Sequence, residues 1–272
     1  MGILYIVATP IGNLEDITLR ALRILKEVSL IAAEDTRTSR VLTNHFDIDT
    51  PLTSYHEHNK LSKLDQIYDA LARGDVALIS DAGTPGISDP GYELIQGAIE
   101  RDITVVPIPG ANAVITALVA SGLPTDEFLY VGFLPRKSKA LRDRLTQLST
   151  RTETMIAYES PHRLTDTLSA IIEVMGAEHQ VCVAREITKK FEEFFRGSAQ
   201  DAYDHFSAEN PRGEVTLLIA GATVSDEAWT EERVKTELQT RLNDGESMSR
   251  ASKAIAKLSG WRKGDIYSLG IE

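Results

Sequence analysis

Short apolar runs alternate with amphipathic stretches through the first 120 residues, and this alternation constrains the fold more than any other feature. Residues 3–8, 29–33, 53–55, 76–80 and 104–107 read as strands. The run at 3–8 is apolar almost throughout, which marks a strand buried on both faces. Between the strands, 17–27, 36–44, 59–73, 92–100 and 111–120 carry helical patterns. Leu19, Leu22 and Leu25 recur three apart on one side of the first of these, and Asn59 is placed to cap the third, which Gly74 ends. Strands and helices that alternate at this spacing predict a mainly parallel sheet covered by helices.

The breaker cluster Ser121-Gly122-Leu123-Pro124-Thr125 predicts a domain boundary. Beyond it, strands are expected at 128–132, 154–158, 180–185, 191–196 and 214–220, with helices at 137–150 and 163–175. From Thr223 the pattern turns helical only, at 229–242, 249–258 and 263–269. The expected organisation is therefore an α/β domain over 1–122, a second, more hairpin-like α/β domain over 123–222, and a small helical extension over 223–272. At 272 residues with 42% hydrophobic content, each half has enough apolar mass for a core.

A single cysteine excludes an intrachain disulfide and a cysteine zinc site. Cys182, inside Val181-Cys182-Val183-Ala184, reads as a small buried hydrophobe. The apolar N-terminal run has no preceding positive charge and stops at Thr9-Pro10, so neither a signal peptide nor a membrane span is expected, and a cytoplasmic setting is.

Three turns bearing glycine or proline follow expected strands: Thr9-Pro10-Ile11-Gly12-Asn13, the stretch from Asp81 to Gly91, and Pro107-Ile108-Pro109-Gly110-Ala111-Asn112. The middle one packs three Gly and two Pro into eleven residues. Ligands of open parallel sheets bind beyond the carboxyl ends of strands, where glycine lets the backbone approach closely. No dinucleotide G-x-G-x-x-G, Walker loop, nucleophile elbow or H-E-x-x-H pair occurs. The turns hold few basic residues, so a polyphosphate is disfavoured; a ligand presenting a carboxylate, an ammonium, a ribose and an adenine suits them better.

The first two of these turns, within residues 4–13 and 80–91, with Ala33-Glu34-Asp35-Thr36-Arg37, Ser54-Tyr55-His56-Glu57-His58-Asn59, Gly132-Phe133-Leu134-Pro135-Arg136-Lys137, Tyr158-Glu159-Ser160-Pro161-His162-Arg163, Ala184-Arg185-Glu186-Ile187-Thr188-Lys189 and Gly213-Glu214-Val215-Thr216, resemble the tetrapyrrole-methylase superfamily. More narrowly they resemble its ribosomal RNA small subunit methyltransferase I branch. The resemblance implies two α/β domains with a cleft between them, a homodimer, S-adenosylmethionine as cofactor, and 2′-O-methylation of a cytidine in the decoding region of 16S ribosomal RNA, as RNA or as the small ribosomal subunit. Relatives carry Gly-Asp-Pro in the cofactor loop, where this chain has Gly83-Thr84-Pro85, and Asp81 is the acid at hand.

On this basis Pro10, Asp81, Gly83, Thr84, Ile87, Ser88, Asn112, Ala113 and Val114 are the candidate cofactor residues. Methyl transfer to a ribose hydroxyl calls for alignment and a proton acceptor, and Asp35, His56, Glu57, Glu159 and Glu186 are the candidates for that base. The leaving group is neutral, so no metal is required. Arg136 and Lys137 begin a run of five basic residues against one acid, while Arg250, Lys253 and Lys257 share a face of an acid-free helical segment. On a chain of net charge −11, these two clusters are the candidate RNA contacts. Trp261 is expected to anchor the tail to the body. The competing readings are methylation of a tetrapyrrole or a protein on the same scaffold, and a non-catalytic RNA-binding assembly factor; the basic tail disfavours the first and the intact cofactor turns the second.

Overall fold

The computed structural model describes residues 2–209, 211–222, 229–243 and 245–270. The chain forms two compact units, Met1–Gly221 and Ala222–Glu272.

The first unit begins with β1 (Leu4–Val7), α1 (Leu19–Glu27), β2 (Leu30–Ala33), α2 (Thr36–His45), β3 (Leu52–Ser54), α3 (Lys60–Leu71), β4 (Val76–Ile79), α4 (Tyr92–Ile99), β5 (Val105–Ile108) and α5 (Ala113–Ser121). The five strands form a sheet of order β3-β2-β4-β1-β5, every pair parallel. Alternation along the strands divides the core in two. Leu4, Ile6, Val76 and Leu78 pack with Ile67 and Leu71 of α3 and Leu94 of α4. Val7, Ala77 and Ile79 pack on the opposite face with Ile24 and Leu25 of α1 and Leu42 of α2. Both faces are covered, which is why these strands lack polar alternation. Asn59 precedes α3 but does not cap it: its Oδ1 accepts the His56 N–H at 2.8 Å and its amide donates to Ser54 Oγ at 3.1 Å, so the side chain closes the preceding turn instead.

The unit continues with β6 (Phe128–Phe133), α6 (Ser138–Leu148), β7 (Thr154–Glu159), α7 (Leu164–Met175), β8 (Gln180–Arg185), β9 (Glu193–Ser198), α8 (Ala199–Glu209) and β10 (Val215–Ile219). This second sheet, β6-β7-β10-β8-β9, is mixed: β6 and β7 are parallel and the remaining pairs antiparallel. One face packs against α6, α7 and α8. Helix α8 carries no clear sequence signal, because two of the three residues it buries in that cluster, Ala199 and Ala202, are small, leaving Phe206 with the partly buried Tyr203 as its large contacts.

The other face of the second sheet is covered by α5. Val114, Ala117 and Leu118 pack with Ile156, Cys182, Ala184 and Leu218, and Ile11 and Ile187 complete the cluster. The helix that closes the first sheet thus fills the second, which makes 1–221 a single compact unit although the breaker at 121–125 separates two sheets. Cys182 is fully buried there, and burial pushes its thiol up to about 11, in keeping with an inert packing residue.

The second unit holds α9 (Glu231–Asn243), α10 (Met248–Ser259) and α11 (Lys263–Leu269) around Val234, Leu238, Ala251, Ile255 and Ile266. Trp261 is engaged within this unit: its indole N–H donates to the Trp229 carbonyl at 2.8 Å. Arg250 and Lys253 are exposed on α10, whereas the Lys257 side chain lies outside the described residues. Among the described residues, no helix is long and apolar enough to cross a membrane.

Truncating Leu118 to Ala removes a buried contact between α5 and the second sheet. The expected cost is about 2–5 kcal/mol, read as a lower urea midpoint followed by far-ultraviolet circular dichroism.

Candidate active site

Parallel pairing places the carboxyl ends of β4, β1 and β5, three neighbouring strands, along one edge. The three glycine- and proline-bearing turns leave from that edge and are stitched together. Thr9 and Gly83 form an antiparallel bridge, Thr9 N–H donating to Gly83 O at 2.8 Å and Gly83 N–H to Thr9 O at 3.0 Å. Gly83 takes φ +79°, a left-handed conformation that costs an L side chain about 1–2 kcal/mol. Thr84 Oγ1 donates to Ala111 O at 3.2 Å and accepts from the Asn112 amide at 3.2 Å. Asn112 Oδ1 in turn caps α5 by accepting the Val114 N–H at 3.0 Å. Each turn therefore fixes the next.

Facing them across a cavity of about 380 Å³ is the second sheet. Gly83, Thr84, Ile87, Ser88, Asp89, Asn112 and Ala113 line it from the first sheet's turns; Phe133, Tyr158, Glu159, Gly213, Glu214 and Thr216 line it from the second. A smaller adjoining cavity of about 230 Å³ is lined by Pro10, Thr38, Ser39, Asp81, Lys189 and Glu214, among others, and Ile11, Ala82 and Glu214 are common to both. Of the candidate cofactor residues, Gly83, Thr84, Ile87, Ser88, Asn112 and Ala113 thus come together on the larger cavity. Pro10 and Asp81 border the smaller one, and Val114 is buried in the core behind α5's first turn.

The five candidate bases are dispersed and mostly engaged. Asp35 caps α2 and binds Arg37 at 2.6 Å, which holds its carboxyl down at about 2. Glu57 pairs with Lys60 at 2.9 Å, and His56 Nδ1 is buried with no hydrogen-bond partner; neither residue lines either cavity. Glu159 does line the larger cavity, but its side chain is 0% exposed and saturated. It accepts from Ser160 N–H at 2.7 Å and Thr167 Oγ1 at 2.7 Å, and pairs with Arg163 at 3.3 Å. Burial alone raises Glu186, yet Lys189 at 2.9 Å and the Glu214 N–H outweigh it and leave the group low.

A different carboxyl stands out. Asp89 lines the larger cavity and is pushed up to about 7, first by burial, then by the negative field of Glu34, with a hydrogen bond from Ser80 opposing. Glu34 and Asp81 are raised as well, both chiefly by burial. Asp35 N–H donates to Asp81 Oδ1 at 3.1 Å and Asp81 N–H to Glu34 Oε2 at 3.3 Å, which ties the ends of β2 and β4 together. In the sequence Asp89 is visible only as the acid flanking a turn; its environment needs the fold.

The model of the Tetrapyrrole (Corrin/Porphyrin) Methylases matches residues 3–203. The chain belongs to the tetrapyrrole methylase family. Full-length relatives of this tetrapyrrole methylase include the Ribosomal RNA small subunit methyltransferase I of Synechocystis sp., 46% identical over 100% of this chain and 98% of the relative. The protein of the same name from Halalkalibacterium halodurans is 48% identical over 98% of this chain and 94% of its own. Among solved structures, cobalt precorrin-4 methyltransferase superposes with TM-score 0.62 at 16% identity, covering 80% of this chain and 94% of that one, a likeness of fold.

The methyl donor of this family is S-adenosylmethionine. The larger cavity suits it: among the described residues Asp89, Glu159 and Glu214 line the walls and no Lys, Arg or His does. Such a wall favours a sulfonium and an ammonium and repels phosphates. The backbone of the stitched turns borders the cavity for a ribose and a carboxylate, whereas the Thr84 hydroxyl is engaged by Ala111 and Asn112 and that of Ser88 by Tyr130.

A carboxyl raised by the folded state destabilises that state once it ionises. Between the ordinary carboxylate value of 3.8 and about 7, the folded protein keeps the Asp89 proton while the unfolded chain has lost it, so stability falls as pH rises through this window and levels off above it. Asp89→Asn is expected to raise Tm relative to the unaltered protein increasingly from pH 4 to 7, measured by calorimetry. A constant offset at every pH contradicts this.

Proposed function

We propose that this methyltransferase acts on the 2′ oxygen of a cytidine ribose in the decoding region of 16S ribosomal RNA, in the cytoplasm. The observation that carries the reading is full-length similarity, 42–48% identity, to curated proteins named Ribosomal RNA small subunit methyltransferase I.

The chemistry of the cavity fits such an acceptor. When bound, S-adenosylmethionine supplies a methyl group on a sulfonium and leaves as a neutral thioether. The protein's part is to orient a ribose hydroxyl and take its proton. Asp89 suits that role: it lines the cavity, and its ionisation near neutrality lets it act as a base without binding the proton too weakly to be useful. The exposed Arg136, Lys137, Arg250 and Lys253 are the groups we assign to RNA phosphates, together with Lys257. A homodimer belongs to the same reading, and the exposed apolar strip of Ile115 and Val119, one turn apart on α5, supports it.

Incubation with small ribosomal subunits and labelled donor, followed by mapping of the label, is expected to find it on a single 2′-O-methylcytidine. Label on a base, on protein or on none of the RNA sinks the reading. In the same assay kcat is expected to rise with pH through about 7 as Asp89 deprotonates. Asp89→Asn loses that limb and falls about 10²–10⁴-fold.

Neutralising Arg250 and Lys253 to Gln is expected to weaken RNA binding and flatten its salt dependence by about 0.7 per charge removed. Filter binding across a salt series measures the slope, and an unchanged slope removes this face of α10 from the interface.

A further inference from the structure

Phe133 sits where a folded protein rarely leaves a phenylalanine. Strand β6 runs in register with β7 as far as Tyr130, and the register then shifts so that Gly132 faces Ala157 and Phe133 faces Tyr158. Gly132 takes φ +68°, a conformation that suits the bend. A bulge of this kind re-aims the side chains that follow it. The Phe133 ring ends 5.7 Å from that of Tyr158, inclined at 60°, and lines the larger cavity while remaining 61% exposed. Leu134, the next residue, is buried and supplies the local packing, so Phe133 is not needed there as a core anchor.

The turn after the ring is braced. Arg163 donates to the carbonyls of Leu134 at 3.4 Å and Pro135 at 2.9 Å, and is itself paired with the buried Glu159. Arg136 and Lys137 follow directly, both exposed and with no ion-pair partner among the described residues. An exposed aromatic ring that lines the cavity is thus followed, three and four residues on, by two exposed cations. A ribose inside a duplex cannot reach an enclosed cavity; its nucleotide must be unstacked, and an unstacked base needs a new surface for its π-face.

We infer that Phe133 is a stacking subsite for an unpaired base of the substrate RNA, with Arg136 and Lys137 holding the adjoining phosphates. This rests on the RNA reading given above. Base–aromatic stacking tolerates any base, so the subsite contributes affinity and alignment while leaving sequence choice to other contacts.

The test compares the full-length protein with Phe133→Leu and Phe133→Trp on small ribosomal subunits, with donor affinity measured separately by calorimetry. Phe133→Leu keeps the bulk and loses the π-face; KM for the subunit is expected to rise about tenfold with donor affinity unchanged. Phe133→Trp is expected to restore KM. An unaltered KM in the Leu variant overturns the subsite while leaving the methylation reading intact. Weakened donor binding with KM for the subunit unchanged assigns the ring to the donor and also overturns it. If the unaltered protein fails to methylate the subunit RNA, the functional reading falls and this subsite with it.

Discussion

The double attachment of α5 is the constraint on which the site depends. At its N-terminus Asn112 ties the helix to the stitched turns of the first sheet, and along its body Val114, Ala117 and Leu118 are buried against the second. A helix held at its cap by the turns of one sheet and along its buried face by another cannot move away from either, although Ile115 and Val119 stay exposed. Once it is so held, the turns and the far sheet have a fixed separation, and the larger cavity is the space that remains between them. The geometry of the cavity is therefore set by core packing, and its chemistry by the side chains left at its walls.

The carboxyls at and beside the two cavities are electrostatically uncomfortable. Glu34, Asp81 and Asp89 are all raised, each mainly by loss of water, and the field of Glu34 adds to that on Asp89. Three carboxyls drawn this close raise one another's cost of ionisation. A cation in the cavity offsets that cost, whereas an anion adds to it. The same arrangement thus favours a sulfonium donor and keeps Asp89 within reach of neutrality. On the proposed function, stability is traded for a base that functions at ordinary pH, because the field and burial that raise Asp89 make its ionised form costly to the fold.

The periodicity of residues 1–120 is enough to give the parallel sheet, because strands buried on both faces and helices with one apolar side have little alternative. The convergence of the three turns is legible for the same reason: loops following strands of one parallel sheet share an edge. Helix α8 is invisible because alanines at 199 and 202 carry almost no hydrophobic signal. Among single residues, the motifs locate the neighbourhood but not the role. Glu159 and Asp35 stand in distinctive runs, yet the first is saturated by Ser160, Thr167 and Arg163, and the second is neutralised by Arg37. Asp89 looks like an ordinary turn acid, and its raised ionisation comes first from burial in the assembled fold and then from Glu34 and Asp81, 55 and 8 residues away in the chain. Ionisation is a property of the assembled surroundings, which no local pattern encodes.

The case of Glu159 shows how a motif acid can matter without touching the reacting atoms. A buried carboxylate with no charged partner is costly, and here Arg163 supplies the charge. Arg163 has donors to spare, and they reach the carbonyls of Leu134 and Pro135. The pair therefore converts a buried charge into a clamp on the turn that joins Phe133, at the end of β6, to Arg136 and Lys137. Removing the carboxylate leaves Arg163 without its counter-charge and loosens that turn, so on the proposed function its loss would appear first in how RNA is held and only later in proton transfer. That ordering separates Glu159 from Asp89, whose proposed role puts the effect of its loss on the proton directly.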